Sequence, residues 1–156
     1  MADRLPDAHL DAWRALLNVH AGVVERVEQA LREADLPPLT WYDVLWALRR
    51  APERRLRMAE LADAVTLSRG GLTKLVDRLE ADGVLRREAC VNDRRGYHAV
   101  LTPRGQALLR RMWPVYADVL KDLFVPALGE DEAAAIAASL GGVGVSRRLL
   151  SGTNAR

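Results

Sequence analysis

Apolar positions recur at helical spacing over most of the chain, and one short stretch breaks into strict alternation. From about residue 7 to 34, Leu10, Trp13, Leu17, His20, Val24, Val27 and Leu31 follow one another at alternating steps of three and four, an unbroken heptad seam. Leu16, Val19, Val23, Ala30 and Ala34 form a second row beside it. Two adjacent apolar stripes are more than one neighbour can cover, so this long helix is expected to meet a second subunit. Pro37-Pro38 ends it. A second helix is predicted from a Thr40 cap with Asp43 in the box position, with Trp41, Val44, Leu45 and Leu48 as its apolar face, stopping before Pro52. Arg49, Arg50, Arg54, Arg55 and Arg57 crowd what reads as the following loop, either a solvated charge run or a phosphate contact.

Met58, Leu61, Ala62 and Val65 mark a helix of two turns. After Thr66-Leu67, Ser68 can cap the next helix, whose buried face is Leu72, Leu75, Val76 and Leu79 and which stops at Asp82-Gly83. Short helix, tight turn and amphipathic helix make the helix-turn-helix pattern. Gly70 and Gly71 oppose helix propensity in its first turn. Either bare backbone approaches a groove wall there, or the glycines pack tightly on the preceding helix.

Residues 84–91 and 97–101 then read as a two-stranded hairpin. Leu85, Arg87, Ala89 and Val91 alternate with Arg86, Glu88 and Cys90, and Asn92-Asp93 and Gly96 are turn formers. Arg94 and Arg95 fall at the tip. Thr102-Pro103 is a strong helix start, and the helix it opens runs to about Val125 through Pro114, where a kink is expected. A last helix opens near the acidic run Glu130-Asp131-Glu132, with Ile136, Leu140, Val143 and Leu150 on one face; residues 151–156 read as a frayed tail. The fold class is mainly α (α+β): a winged helix-turn-helix module over residues 40–102, flanked by long dimerisation helices over 7–34 and 103–150, all within one domain spanning 1–156.

Composition narrows the function. Net charge is only +2, but between Arg69 and Arg104 basic residues (69, 74, 78, 86, 87, 94, 95, 104) outnumber acidic ones (77, 80, 82, 88, 93), and nearly all are arginine. Arginine suits phosphates and guanine edges. Arg69, Thr73 and Lys74 lie on the exposed side of the second helix of the motif, where base edges are reached, while Arg78 suits a phosphate or an acidic neighbour. Ser68 can donate to a phosphate as well as cap. Arg86 and Arg87 either steer a nucleic acid or pair with Glu88 or Asp82. Two basic probes on one small module are the equipment for gripping duplex DNA, and a twofold dimer would read a palindrome with half-sites roughly 10 bp apart. No catalytic Ser/His/Asp or Cys/His arrangement, phosphate loop or metal-ligand spacing stands out, so neither an enzyme nor a cofactor is expected. A lone cysteine allows no internal disulfide, and neither a signal-peptide core nor a long apolar run is present. The cytoplasm is the expected compartment, with no membrane partner.

The order of elements resembles the MarR family of transcriptional regulators. So do the run Leu72-Thr73-Lys74-Leu75-Val76-Asp77-Arg78-Leu79-Glu80-Ala81-Asp82-Gly83, then Asp93-Arg94-Arg95-Gly96, then Leu101-Thr102-Pro103-Arg104-Gly105. The resemblance implies that Arg95, oriented by Asp93, enters the minor groove, in keeping with the attraction of a narrow A/T-rich groove for arginine. It also implies release from DNA by small aromatic or phenolic ligands held between the helical frame and the winged module. Trp13, His20, Trp41, Tyr42, Trp46 and Trp113 are the candidate lining, with Trp13 and Trp41 foremost, although aromatics at helical spacing equally serve a core. Cys90, beside Arg86 and Arg87, raises a redox-responsive alternative against that of an inert half-buried thiol. A winged module that binds protein and not DNA is the remaining alternative.

Overall fold

The computed structural model describes residues 6–65, 69–90 and 93–143, with the backbone alone described at residues 69 and 93–95. Six helices and three strands follow in order: α1 (Asp7–Glu33), α2 (Leu39–Arg50), β1 (Arg55–Arg57), α3 (Met58–Ala64), α4 (Arg69–Ala81), β2 (Leu85–Cys90), β3 (Asp93–Leu101), α5 (Pro103–Phe124) and α6 (Glu130–Gly141). The sheet is antiparallel with β3 central, in the order β1-β3-β2.

The core lies where α2, α3, α4 and the sheet meet the second half of α1 and the first half of α5. Leu45, Leu48, Leu61, Leu79, Leu85 and Met112 are among its fully buried side chains. Of the α1 seam, only Val27 and Leu31 are buried within the single chain; Trp13 and Leu17 are exposed. Ile136 and Leu140 on α6 and Leu123 and Phe124 at the end of α5 are likewise exposed. The apolar surface anticipated from the paired stripes is therefore present and left uncovered by the described residues.

Several local expectations change. Thr40 does not cap α2: the helix begins at Leu39, and the first amide is held by the Glu28 carboxylate of α1 at 3.0 Å. A side chain eleven residues upstream satisfies the donor that a local cap would otherwise take. The arginine-crowded loop contains a strand. Leu56 of β1 is buried and pairs with Ala99 of β3, while Arg55 and Arg57 point outward. Pro52–Arg54 forms a 3-10 turn before it, with Glu53 and Arg54 in the left-handed region and Glu53 paired to Arg55.

The second strand of the hairpin starts at Asp93, so Gly96 lies within β3 and not in a turn. The register shifts between Ala89 and Cys90, which sends Cys90 into the interior and leaves Ala89 exposed. A bulge of this kind reverses the faces beyond it.

Other signals hold. Thr102 caps α5, accepting the Gly105 amide at 3.1 Å, with Pro103 in the first turn, and the helix continues through Pro114. At the end of α4, Gly83 takes φ 73°, its amide donates to Glu80 O and the Val84 amide donates to Leu79 O. This is the paired closure that favours glycine after a helix. Ser68, Leu150 and the tail expected over 151–156 lie outside the described residues.

Candidate nucleic-acid interface

α4 presents one face to the core and one to solvent. Leu72, Leu75, Val76 and Leu79 are buried, while Gly70, Gly71, Thr73, Lys74, Asp77 and Arg78 are exposed. A side chain added at Gly70 would meet nothing within 4 Å, so packing on the neighbouring helix does not require that glycine. Its bare backbone faces open space at the start of the helix.

An open cleft of roughly 250 Å³ lies between the first turn of α2 and the exposed face of α4, lined by Thr40, Gly71, Lys74, Leu75 and Arg78. Thr40, displaced from its capping role, thus stands at the cleft with a hydroxyl, opposite two cations.

The cations of the module divide into two groups. Arg86 pairs with Glu88 at 2.5 Å, and Arg104 lies 3.4 Å from Asp82. Arg87 reaches both Asp77 and Glu80 at 2.6 Å. Burial lowers the pKa of this guanidinium, but hydrogen bonds to Asp77 and Glu80 outweigh it, so the net shift is upward. By contrast, Lys74 and Arg78 make no ion pair among the described residues and border the cleft together. Arg86 and Arg87, offered by the sequence as steering charges, are both spent on carboxylates.

The side chains of Arg69, Asp93, Arg94 and Arg95 lie outside the described residues. The backbone carries residues 93–95 at the start of β3, at the turn end of the hairpin, where Asp93 pairs with Cys90.

The aromatic candidates are only partly brought together. Tyr42 stacks on Trp46 with centroids 5.9 Å apart and on Trp113 at 6.4 Å, and meets Tyr116 edge-on at 5.2 Å. Arg49 lies over Trp46 at 5.7 Å, within cation–π range. Burial pushes the Tyr42 phenol up to about 12, and Tyr116 moves in the same direction for the same reason. Trp13 and His20 are exposed on α1, and Trp41 packs half-buried against the core; none of the three joins this tier. Tyr116 was not nominated from the sequence, although its place one turn from Met112 on α5 is a usable signal. Cys90 is buried with its Sγ 3.1 Å from His98 Nδ1.

A helix-turn-helix followed by a sheet hairpin, with an exposed cationic helix face between long flanking helices, is the frame against which known proteins can be compared. A model of the MarR family matches residues 34–96, from the end of α1 into β3. Over that stretch the chain is similar to the MarR family. Among curated members, the HTH-type transcriptional regulator PecS of Dickeya dadantii (strain 3937) is 34% identical over 104 residues, covering 65% of this chain and 61% of PecS. The HTH-type transcriptional repressor YetL of Bacillus subtilis (strain 168) is 31% identical over 100 residues, covering 57% of this chain and 60% of YetL. The matches thus span about three-fifths of each regulator's length. In three dimensions the chain is similar to a MarR family transcriptional regulator from Streptomyces coelicolor, solved in complex with DNA. The TM-score is 0.79 at 29% identity, over 90% of this chain and 88% of that one. The chain thus has the winged-helix architecture expected from its pattern, matching that of solved MarR-family structures.

Proposed function

We propose that this protein is a transcriptional repressor that binds a palindromic operator as a homodimer in the cytoplasm. The recognition surface is α4 with its N-terminal flank (Ser68, Arg69, Gly70, Thr73, Lys74 and Arg78), and the wing residues are Asp93, Arg94 and Arg95. The module over residues 40–102 contacts duplex DNA, and the helices over 7–34 and 103–150 hold two copies together. One observation carries the reading. The exposed face of α4 keeps Lys74 and Arg78 clear of ion pairs among the described residues, beside a cleft that a backbone phosphate can enter, while Arg86, Arg87 and Arg104 are paired with carboxylates. The uncovered apolar faces of α1, α5 and α6 support the homodimer. Release by a small aromatic or phenolic ligand is a separable part of the proposal. It is supported by the tier of Tyr42, Trp46, Trp113 and Tyr116 where α2 meets α5. Trp13, His20 and Trp41 are left outside it.

The test is selection of a duplex from a random 30-bp library by the purified chain, followed by binding measured across salt. A dimer contacting about six phosphates should lose on the order of 10³-fold in affinity between 50 and 200 mM salt. Arg95→Ala should weaken binding at least tenfold while leaving stability within about 0.5 kcal/mol. Recovery of no preferred sequence, with a flat response to salt, would favour a protein-interaction module.

A further inference from the structure

One guanidinium ties the wing to the recognition helix. Arg87 Nη1 donates to Glu80 Oε2 and Nη2 donates to Asp77 Oδ1, both at 2.6 Å, and the Arg87 backbone amide donates to Glu80 Oε1 at 2.8 Å. Asp77 and Glu80 stand three apart on one face of α4, so a single planar fork reaches both. Arg87 lies opposite Ala99 of the central strand, which is fully buried, so the strand that carries it is seated in the core. Helix and hairpin also share one core, which holds Leu79 of α4 and Leu85 and Ala99 of the strands, and they are linked in sequence by residues 82–84, where Gly83 sits in the left-handed region. The Arg87 contacts lie beyond Gly83 and Leu85 on the way to the wing end and add a polar brace there. From Arg87, β2 runs on to Cys90, roughly 10 Å further out at strand rise, so a small rotation at the base becomes a large displacement beyond it.

The geometry points to Arg87, Asp77 and Glu80 as positioning residues that set the spacing between the two DNA-reading elements, α4 and the wing. This role rests on the DNA-binding reading above. It has a consequence of unexpected sign. Asp77 is an exposed acid on the helix proposed to face a polyanion, and charge alone requires that its removal strengthen DNA binding. The clamp requires the reverse, because Asp77 holds Arg87 and the wing behind it.

The experiment uses the full chain and the duplex selected by the wild type. Asp77→Asn and Arg87→Gln are expected to weaken binding about tenfold, and Arg87→Lys less, with the salt dependence and thermal midpoint nearly unchanged. Part-exposed ion pairs contribute little to global stability, so the midpoint separates positioning from unfolding. Amide hydrogen exchange over residues 85–101, measured without DNA, is expected to accelerate in Arg87→Gln relative to α2 and α5. Unchanged or tighter binding by Asp77→Asn overturns the inference, as does unaltered exchange in the Arg87→Gln hairpin. A wild type that selects no duplex removes the DNA-binding reading itself, and the positioning role falls with it.

Discussion

Replacing Gly105 by alanine should destabilise the protein, although helix propensity alone says the opposite. Gly105 is buried in the first turn of α5, where its amide donates to the Thr102 cap. A methyl group there would lie 2.1 Å from the Val84 carbonyl oxygen and 2.7 Å from Leu101 Cδ1. The leucine tip can turn aside. The carbonyl cannot do so cheaply, because it belongs to the backbone entering β2 and accepts the Thr102 amide at 3.3 Å. Restoring ordinary contact requires the helix start and the strand entrance to part by about 1 Å. Overpacking of this kind costs about 1–3 kcal/mol and sometimes more. Loosening the Thr102 cap adds about 1 kcal/mol. The propensity gain of alanine over glycine is at most about 1 kcal/mol, and less in a first turn. The expected net loss is about 1–3 kcal/mol, or a fall of about 0.5–1.5 M in the urea midpoint at a slope of about 2 kcal/mol/M. Urea unfolding followed by circular dichroism, at one fixed protomer concentration because assembly shifts the midpoint, measures it. A variant as stable as the wild type, or more so, would refute the claim that this joint is close-packed and rigid.

Two further predictions are independent of the first. Leu17→Asp, on the bare part of α1, should shift the protein from dimer to monomer in sedimentation equilibrium while the helical spectrum of the module persists; an unchanged dimer would place the interface elsewhere. Tyr42 ionises near 10 in the unfolded chain and at about 12 when folded, so the unfolded state releases its proton first. Stability present below pH 10 should therefore decline as pH rises from 10 towards 12, and Tyr42→Phe should blunt that decline. A wild-type protein with pH-independent stability over that interval would contradict the burial argument.

What the sequence disclosed was what its neighbours in the chain could enforce. The step pattern through Leu72, Leu75, Val76 and Leu79 predicts which face of α4 is buried, and Thr102-Pro103 marks the start of α5, because both depend on contacts within a turn or two. The first turn of α2 was misread because its amide is satisfied from α1 by Glu28, across a distance no local motif records. β1 was missed because three residues, two of them arginine, carry no periodicity; only pairing with β3 makes them a strand. The exchange of faces at Ala89 and Cys90 comes from a register shift that alternation cannot anticipate. Among the aromatics, the sequence put Trp13 and Trp41 foremost, whereas the packing of α2 on α5 selects Tyr42, Trp46 and Trp113 and adds Tyr116. The partition of arginines into neutralised and available is likewise a tertiary property: Arg87 is committed by two acids of α4 that lie seven and ten residues earlier.

The long first helix is continuous from Asp7 to Glu33, yet only its second half enters the core of the winged module. No pliable connector separates the part that packs inside the module from the part left bare for a partner. In the proposed dimer, two modules suspended from such rods would keep a fixed separation and a fixed rotation about the DNA axis. Inserting one base pair at the centre of the operator turns one half-site by about 34° relative to the other, given a helical repeat of 10–10.5 bp. A stiff caliper cannot follow that turn, so operator length, and not only operator sequence, becomes a determinant of recognition.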